Sequence, residues 1–169
     1  MIFNELQNIL RKKDWDKIAS EYGKWLENDD YPDILLKEMK ISSEDTVLDI
    51  GCGEGTITKK IAKKAKSVTG IDKSEGMLEE LNRNAKEEKL DNINTIKMDI
   101  NDLNYENIGD YDIVLASRCL NGIANIKDTL VTLNEIANKY VFITLFGPNN
   151  WKLEKDFFKY INSEYGGAP

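Results

Sequence analysis

Histidine is absent from the 169-residue chain. The commonest general base and the commonest imidazole metal ligand are therefore both missing. Any proton transfer must use a carboxylate, Tyr, Lys, Cys or water, and a zinc site is not expected. Cysteine is nearly absent too: Cys52 and Cys119 are the only two. That is too few for a disulfide framework, so a reducing, cytoplasmic setting is expected. No apolar run approaches the length of a membrane span, and the amino end shows no signal-peptide pattern, so no membrane partner is expected. Positive charge is in the minority, with 23 Lys and Arg against 30 Asp and Glu and a net charge of −7. This argues against the broad basic face that duplex nucleic acid requires. Lys59, Lys60, Lys63, Lys64 and Lys66 have the spacing of one solvated helix face. Internal repeats and low-complexity segments are also lacking.

What is present is a chain of 41% hydrophobic and 31% charged residues, the composition of a globular domain. It is organised around Val47-Leu-Asp-Ile-Gly-Cys-Gly-Glu-Gly55. Val47, Leu48 and Ile50 suit a strand buried on both faces. Gly51, Gly53 and Gly55 follow at once, and Thr56 to Ala62 takes up helical spacing. Such a turn lets a ligand lie against bare backbone N–H groups at a helix N-terminus. The dinucleotide pattern Gly-x-Gly-x-x-Gly would place its third glycine at 56, but 56 is Thr. Asp49 ahead of the loop would repel a pyrophosphate and suit a ligand carrying an ammonium group.

Apolar stripes predict a helical cap over residues 1–45, and strand–helix alternation predicts one domain over 46–169. Within the cap, Trp15, Ile18, Ala19, Tyr22 and Leu26 share a stripe, and Pro32 starts a helix with Ile34, Leu35 and Met39 inward. Strands are predicted at 67–71, ending in Asp72; at 92–98, ending in Asp99; at 111–116, closed by Ser117-Arg-Cys-Leu-Asn121; and at 139–146. Ser74 is placed to cap a helix buried through Met77, Leu78, Leu81 and Ala85. Residues 104–110 read as polar turn, and 126–137 as a helix with Leu130, Leu133 and Ile136 inward. Residues from 149 read as a further helix rich in apolar side chains.

The segment Asp49-Ile-Gly51-Cys-Gly53-Glu-Gly55 resembles motif I of the class I S-adenosylmethionine-dependent methyltransferases. The stretch Asp72-Lys-Ser-Glu-Gly-Met77-Leu is similar to the segment that follows the second-strand acid in that family, and the spacing Trp15-Asp-x-x-Ala19-x-x-Tyr22 resembles a helix that precedes the core in many small-molecule members. The resemblance covers about residues 15 to 146 and implies an α/β fold: a doubly wound Rossmann-like parallel sheet of order 3-2-1-4-5, with ligand at the switch point. It implies S-adenosylmethionine as cofactor. Asp49, Gly51, Cys52 and Gly53 would lie against its amino-acid end and Asp72 on its ribose. Lys73 would flank the adenine, departing from the usual aliphatic residue so that only its stem can serve, and Met77 would be a further cofactor-binding residue. Asp99 and Ile100 would meet the adenine edge, with Asp102 as fallback for Asp99. Tyr22 would cover the cofactor, and Ser117 would lie where cofactor and acceptor meet. Arg118 could bind an anionic acceptor or pair with Asp72 or Asp99, and Cys119 reads as a small core residue.

The family usually adds two more strands after the fifth. Their absence from the remaining residues suggests a truncated chain, with the strand at 139–146 an open edge through which a homodimer could pair. The implied reaction is methyl transfer to a small-molecule acceptor, with no residue singled out as catalytic. A non-catalytic cofactor-binding subunit, a nicotinamide-dependent oxidoreductase and an aminopropyl transferase are the competing readings.

Overall fold

The computed structural model describes residues 15, 16, 19, 20, 30–120, 123 and 125–145. Expectations for the rest of the amino-terminal cap, including Tyr22, and for the helix from residue 149 lie outside them.

Apolar β-prone runs form five strands: β1 (Thr46–Ile50), β2 (Ser67–Asp72), β3 (Ile93–Lys97), β4 (Tyr111–Ser117) and β5 (Ala137–Thr144). They pair in parallel in the order β3-β2-β1-β4-β5, as the alternation of strands and helices predicts. β1 and β4 at the centre are sealed on both faces, with Val47, Leu48, Ile113, Val114, Leu115 and Ala116 all at 0% exposure. Their unbroken hydrophobic character follows from this position.

Helices cover the two faces. On one lie α1 (Tyr31–Glu38) and α2 (Thr56–Ala62), where Leu35, Leu36, Ile61 and Ala62 pack with Val47, Val68, Ile113 and Leu115. α3 (Glu75–Glu87) sends Leu78 and Leu81 against Cys52 and Ile93. On the opposite face α5 (Ile126–Ile136) packs Leu133 and Ile136 on Leu48, Ile50, Ile71, Val114 and Ala116. The short α4 (Tyr105–Ile108) precedes β4.

Local chemistry sets the helix ends. Pro32 stands in the first turn of α1, where no N–H is needed. Ser74 caps α3 by accepting from the Met77 N–H at 3.2 Å. At the end of α2, Asn92 Nδ2 donates to the Ala62 carbonyl at 2.9 Å and the Ala65 carbonyl at 3.2 Å, satisfying acceptors the helix leaves open.

The structure corrects several details. Ile34 is 51% exposed and Leu130 40% exposed, while Leu36 takes the inward place on α1. Residues 105–108 are helical because Asn104 and Asn107 form a reciprocal capping box. β5 starts two residues earlier than its hydrophobic run suggests. Ala137 leaves α5 directly in an extended conformation, and a register irregularity opposite Tyr111 and Ile113 absorbs the offset. Among the described residues β5 is an outer strand, with Tyr140 and Ile143 exposed.

At the amino ends of the strands, Lys139 joins β5 to its neighbours. Its Nζ lies 2.5 Å from Asp45 Oδ1 and 3.2 Å from Asp112 Oδ1. Asp45 is 3% exposed. Lys139 holds its carboxyl below the ordinary value.

Candidate active site at the carboxyl ends of the strands

β1 runs into the loop 51–55, where Gly51, Gly53 and Gly55 all have positive φ, at +66°, +56° and +90°. Each makes a different demand. A Cβ on Gly51 would stand 2.5 Å from Cys119 Cβ, so the loop closes tightly on the segment after β4. A Cβ on Gly55 would run into Leu81 of α3. A Cβ on Gly53 would meet nothing within 4 Å among the described residues. Among the described residues, Gly53 is thus where bare backbone is left uncovered, the feature a ligand cradle needs.

The acids around this loop hold it in shape. Asp72, half-buried at the tip of β2, accepts from the Gly53 N–H at 3.0 Å through Oδ2 and from the Ser74 N–H at 2.9 Å through Oδ1. An ionised carboxylate offers about four lone-pair sites, so these two bonds leave acceptor capacity for further donors. Glu54, 3% exposed, turns back to accept from the Thr56 hydroxyl and N–H at the start of α2.

Asp49 is the deepest of them. It is 2% exposed and its Oδ2 accepts from the Thr58 hydroxyl at 2.6 Å. Its Oδ1 has no hydrogen-bond partner among the described residues. No side-chain oxygen sealed from solvent lacks a partner there, so Oδ1 is not fully sealed. Burial pushes the carboxyl up to about 7, against the Thr58 bond that lowers it, and the nearby charge of Asp72 adds to the rise. Burial, reinforced by the charges of Asp49 and Asp72, also raises the thiols of Cys52 and Cys119, the latter to about 12. Neither thiol is an activated nucleophile.

At the tip of β3, Asp99 Oδ1 accepts from the Asn101 N–H at 3.0 Å and from its Nδ2 at 2.7 Å, capping the single turn Ile100–Asp102. Asp99 Oδ2 has no partner among the described residues. Ile100 is half-buried against the core. Lys73 is exposed beside Asp72. Met77 is buried in α3, as its apolar spacing predicts. At 2% exposure it is a core residue of the first turn of α3, offering almost no surface to a ligand.

At the tips of β4 and β5 lies a group the sequence did not reveal. The Tyr31 hydroxyl bonds Ser117 Oγ at 2.6 Å and also the Thr144 hydroxyl, and Ser117 and Thr144 bond each other at 3.2 Å. Ser117 is therefore tied to α1 and β5. Arg118, with φ +55°, lays its guanidinium 3.5 Å from the centre of the Tyr31 ring. Its geometry is that of a cation–π contact. Tyr31 and Thr144 join Ser117 across 86 and 27 positions of the chain, and no local spacing marks either of them.

The amino-terminal segment reaches the same end of the sheet. Asp16 Oδ1 accepts from the Ser74 hydroxyl at 2.7 Å and the Gly76 N–H at 2.9 Å. A Cβ on Gly76 would come within 2.9 Å of the Asp16 backbone. Nearby Ala19 is 4% exposed.

A parallel sheet of this order with flanking helices is shared with known proteins. Residues 41–164 match the model of a methyltransferase domain family. The chain belongs to that family. Its members use S-adenosylmethionine as methyl donor. An uncharacterised protein of Haemophilus influenzae is 31% identical over 157 residues, spanning 92% of this chain and 58% of that protein. A probable cobalt-precorrin-6B C(15)-methyltransferase (decarboxylating) of Methanococcus maripaludis is 34% identical over 125 residues, spanning 73% of this chain and 66% of that enzyme. The chain thus matches about three-fifths of the first relative's length. Magnesium protoporphyrin IX methyltransferase from Synechocystis, solved with bound S-adenosylhomocysteine, superposes with a TM-score of 0.62 at 23% identity. The match covers 82% of this chain and 62% of that one, and shows the shared fold.

The methyltransferase family's cofactor fits what the residues offer. The loop is bordered by carboxylates, suited to a ligand bearing an ammonium and a sulfonium and unsuited to a pyrophosphate. Among the described residues nothing fills the space beside Gly53.

Proposed function

We propose that this chain transfers a methyl group from S-adenosylmethionine to a small-molecule acceptor. The observation that carries the reading is the acid-lined floor of the crevice. Among the described residues, Asp49 and Asp72 flank a loop whose Gly53 backbone is left uncovered, and neither acid has an ion-pair partner. In this reading Gly51, Cys52 and Gly53 line the amino-acid end of the cofactor and Asp49 faces its ammonium. Asp72 accepts from the ribose hydroxyls. Asp99, through Oδ2, and Ile100 meet the adenine, with the stem of Lys73 alongside. Ser117 stands where the methyl group meets the acceptor, and Tyr22 is proposed to cover the cofactor from outside the described residues.

The cofactor supplies an electrophilic methyl group whose leaving thioether needs no proton. The chain's task is then to align donor and acceptor and to exclude water. A protein without histidine can do both. We name no catalytic base. A small acceptor is supported by the name of the Methanococcus relative and by the net charge of −7, which disfavours duplex nucleic acid. A cytoplasmic location is part of the same reading, as is a homodimer paired along β5. Sedimentation across a dilution series tests the dimer, and a monomer at all concentrations would remove it. No helix among the described residues is long and apolar enough to cross a membrane.

The test of the function is calorimetric titration with S-adenosylhomocysteine and with NAD. It is followed by transfer of label from [methyl-³H]S-adenosylmethionine to candidate amine, hydroxyl and tetrapyrrole acceptors. Binding of S-adenosylhomocysteine with label transfer is expected; binding of NAD alone would overturn the reading.

A further inference from the structure

A carboxylate buried without a cation is costly to ionise. Asp49 meets that description in full. It sits at the end of the central strand at 2% exposure, and its one hydrogen-bond donor is the neutral Thr58 hydroxyl. Among the described residues, the groups around it supply no compensating charge. From β2 it faces the like charge of Asp72. The loop contributes Glu54, turned to Thr56, and the thiol of Cys52. The turn after β4 contributes the thiol of Cys119, and Arg118 rests on the Tyr31 ring. On α2, Lys59 and Lys60 point outward to Glu88 and Asp33. β1's neighbour β4 places Leu115 beside Asp49.

We propose that Asp49 selects ligands by positive charge: it is protonated in the ligand-free protein and surrenders that proton to solvent when an ammonium-bearing ligand settles on the glycine loop. The inference rests on the binding mode given under Proposed function and adds a specificity element to it. The exchange is balanced. The carboxylic acid and the incoming ammonium become a carboxylate–ammonium pair, and one proton passes to the buffer. A ligand with the adenosyl group but no ammonium cannot stabilise the ionised form, so it leaves the proton in place. The raised carboxyl of Asp49 sets where this is visible, between the ordinary carboxylate range and about pH 7. The thiols titrate far above that window, because burial and the two acids raise them.

The experiment is isothermal titration of the full chain with S-adenosylhomocysteine, which carries the ammonium, and with 5′-methylthioadenosine, which does not. Both are run at pH 6.0 in buffers of differing ionisation enthalpy and repeated at pH 8. The expected result is release of about one proton per S-adenosylhomocysteine at pH 6.0 and almost none at pH 8, with affinity about tenfold weaker at the lower pH. 5′-Methylthioadenosine is expected to release none at either pH. In Asp49→Asn the release at pH 6.0 is expected to vanish; should that variant not fold, the two-ligand comparison in the unaltered chain decides alone. Binding of S-adenosylhomocysteine with no proton release at pH 6.0, or equal release with both ligands, would overturn the inference and leave the proposed function standing. Absence of S-adenosylhomocysteine binding at both pH values would overturn the proposed function itself.

Discussion

Asp72 Oδ2 accepts a hydrogen bond from the Gly53 N–H at 3.0 Å, joining the tip of β2 to the loop that follows β1. The same carboxylate accepts from the Ser74 N–H at 2.9 Å. One side chain therefore fixes the loop, orients the start of α3 and keeps lone pairs for a ligand. Asp72→Ala should weaken S-adenosylhomocysteine binding by about 1–3 kcal/mol, read by titration calorimetry. Unchanged affinity would remove Asp72 from the site.

Gly51 and Gly53 differ in what lies opposite them, so alanine at each should act on a different property. At Gly51 the new Cβ would press on Cys119 from a φ of +66°. A stability loss of roughly 2–4 kcal/mol is expected in urea unfolding, from overpacking and left-handed strain together. At Gly53 the Cβ meets nothing within 4 Å among the described residues, leaving a strain cost of about 1–2 kcal/mol while the methyl group occupies the cradle. Gly53→Ala should therefore remain folded and lose ligand affinity. Normal binding by this variant would show that the loop's open side is not the ligand's place.

The strand ends carrying Asp49, Asp72 and Asp99 were legible in the sequence because β1 and β2 carry apolar residues that suit burial, β3 alternates, and an acid stands at or near the end of each. The capping role of Ser74 was legible for a similar local reason. Tyr31 and Thr144 were not: their hydrogen bonds join residues far apart in the chain, and no periodicity marks them. Met77 was legible as a buried position of α3 from its apolar spacing. The early start of β5 escaped detection because Ala137 and Asn138 carry no β preference and are extended by pairing beside Tyr111.

Tyr31→Phe removes the hydroxyl shared with Ser117 and Thr144 but leaves the bond of those two residues to each other. A loss of about 1 kcal/mol in folding stability is expected, with the ring contact to Arg118 retained. Thermal unfolding checks it; no shift would mean the hydroxyl cluster adds nothing to the fold.

Two sets of acids should push stability in opposite directions with pH. Lys139 holds Asp45 below its ordinary value, and hydrogen bonding from the Thr46 N–H does the same for Asp112. Their contribution is present above the unfolded value of 3.8 and is lost as pH falls below it. Asp49 is raised to about 7 from 3.8. The folded chain therefore binds more protons than the unfolded one between those values, and this contribution is lost as pH rises through them. Urea unfolding of the ligand-free chain should show Asp49→Asn gaining stability relative to the unaltered chain between pH 5 and pH 8. A difference independent of pH would contradict the protonated state assigned to Asp49.

The most direct measurement on the central claim is the thermal midpoint of the chain with saturating S-adenosylhomocysteine and, separately, with NAD. A rise of several degrees with S-adenosylhomocysteine and none with NAD is the predicted result. A rise with NAD and none with S-adenosylhomocysteine would contradict the account.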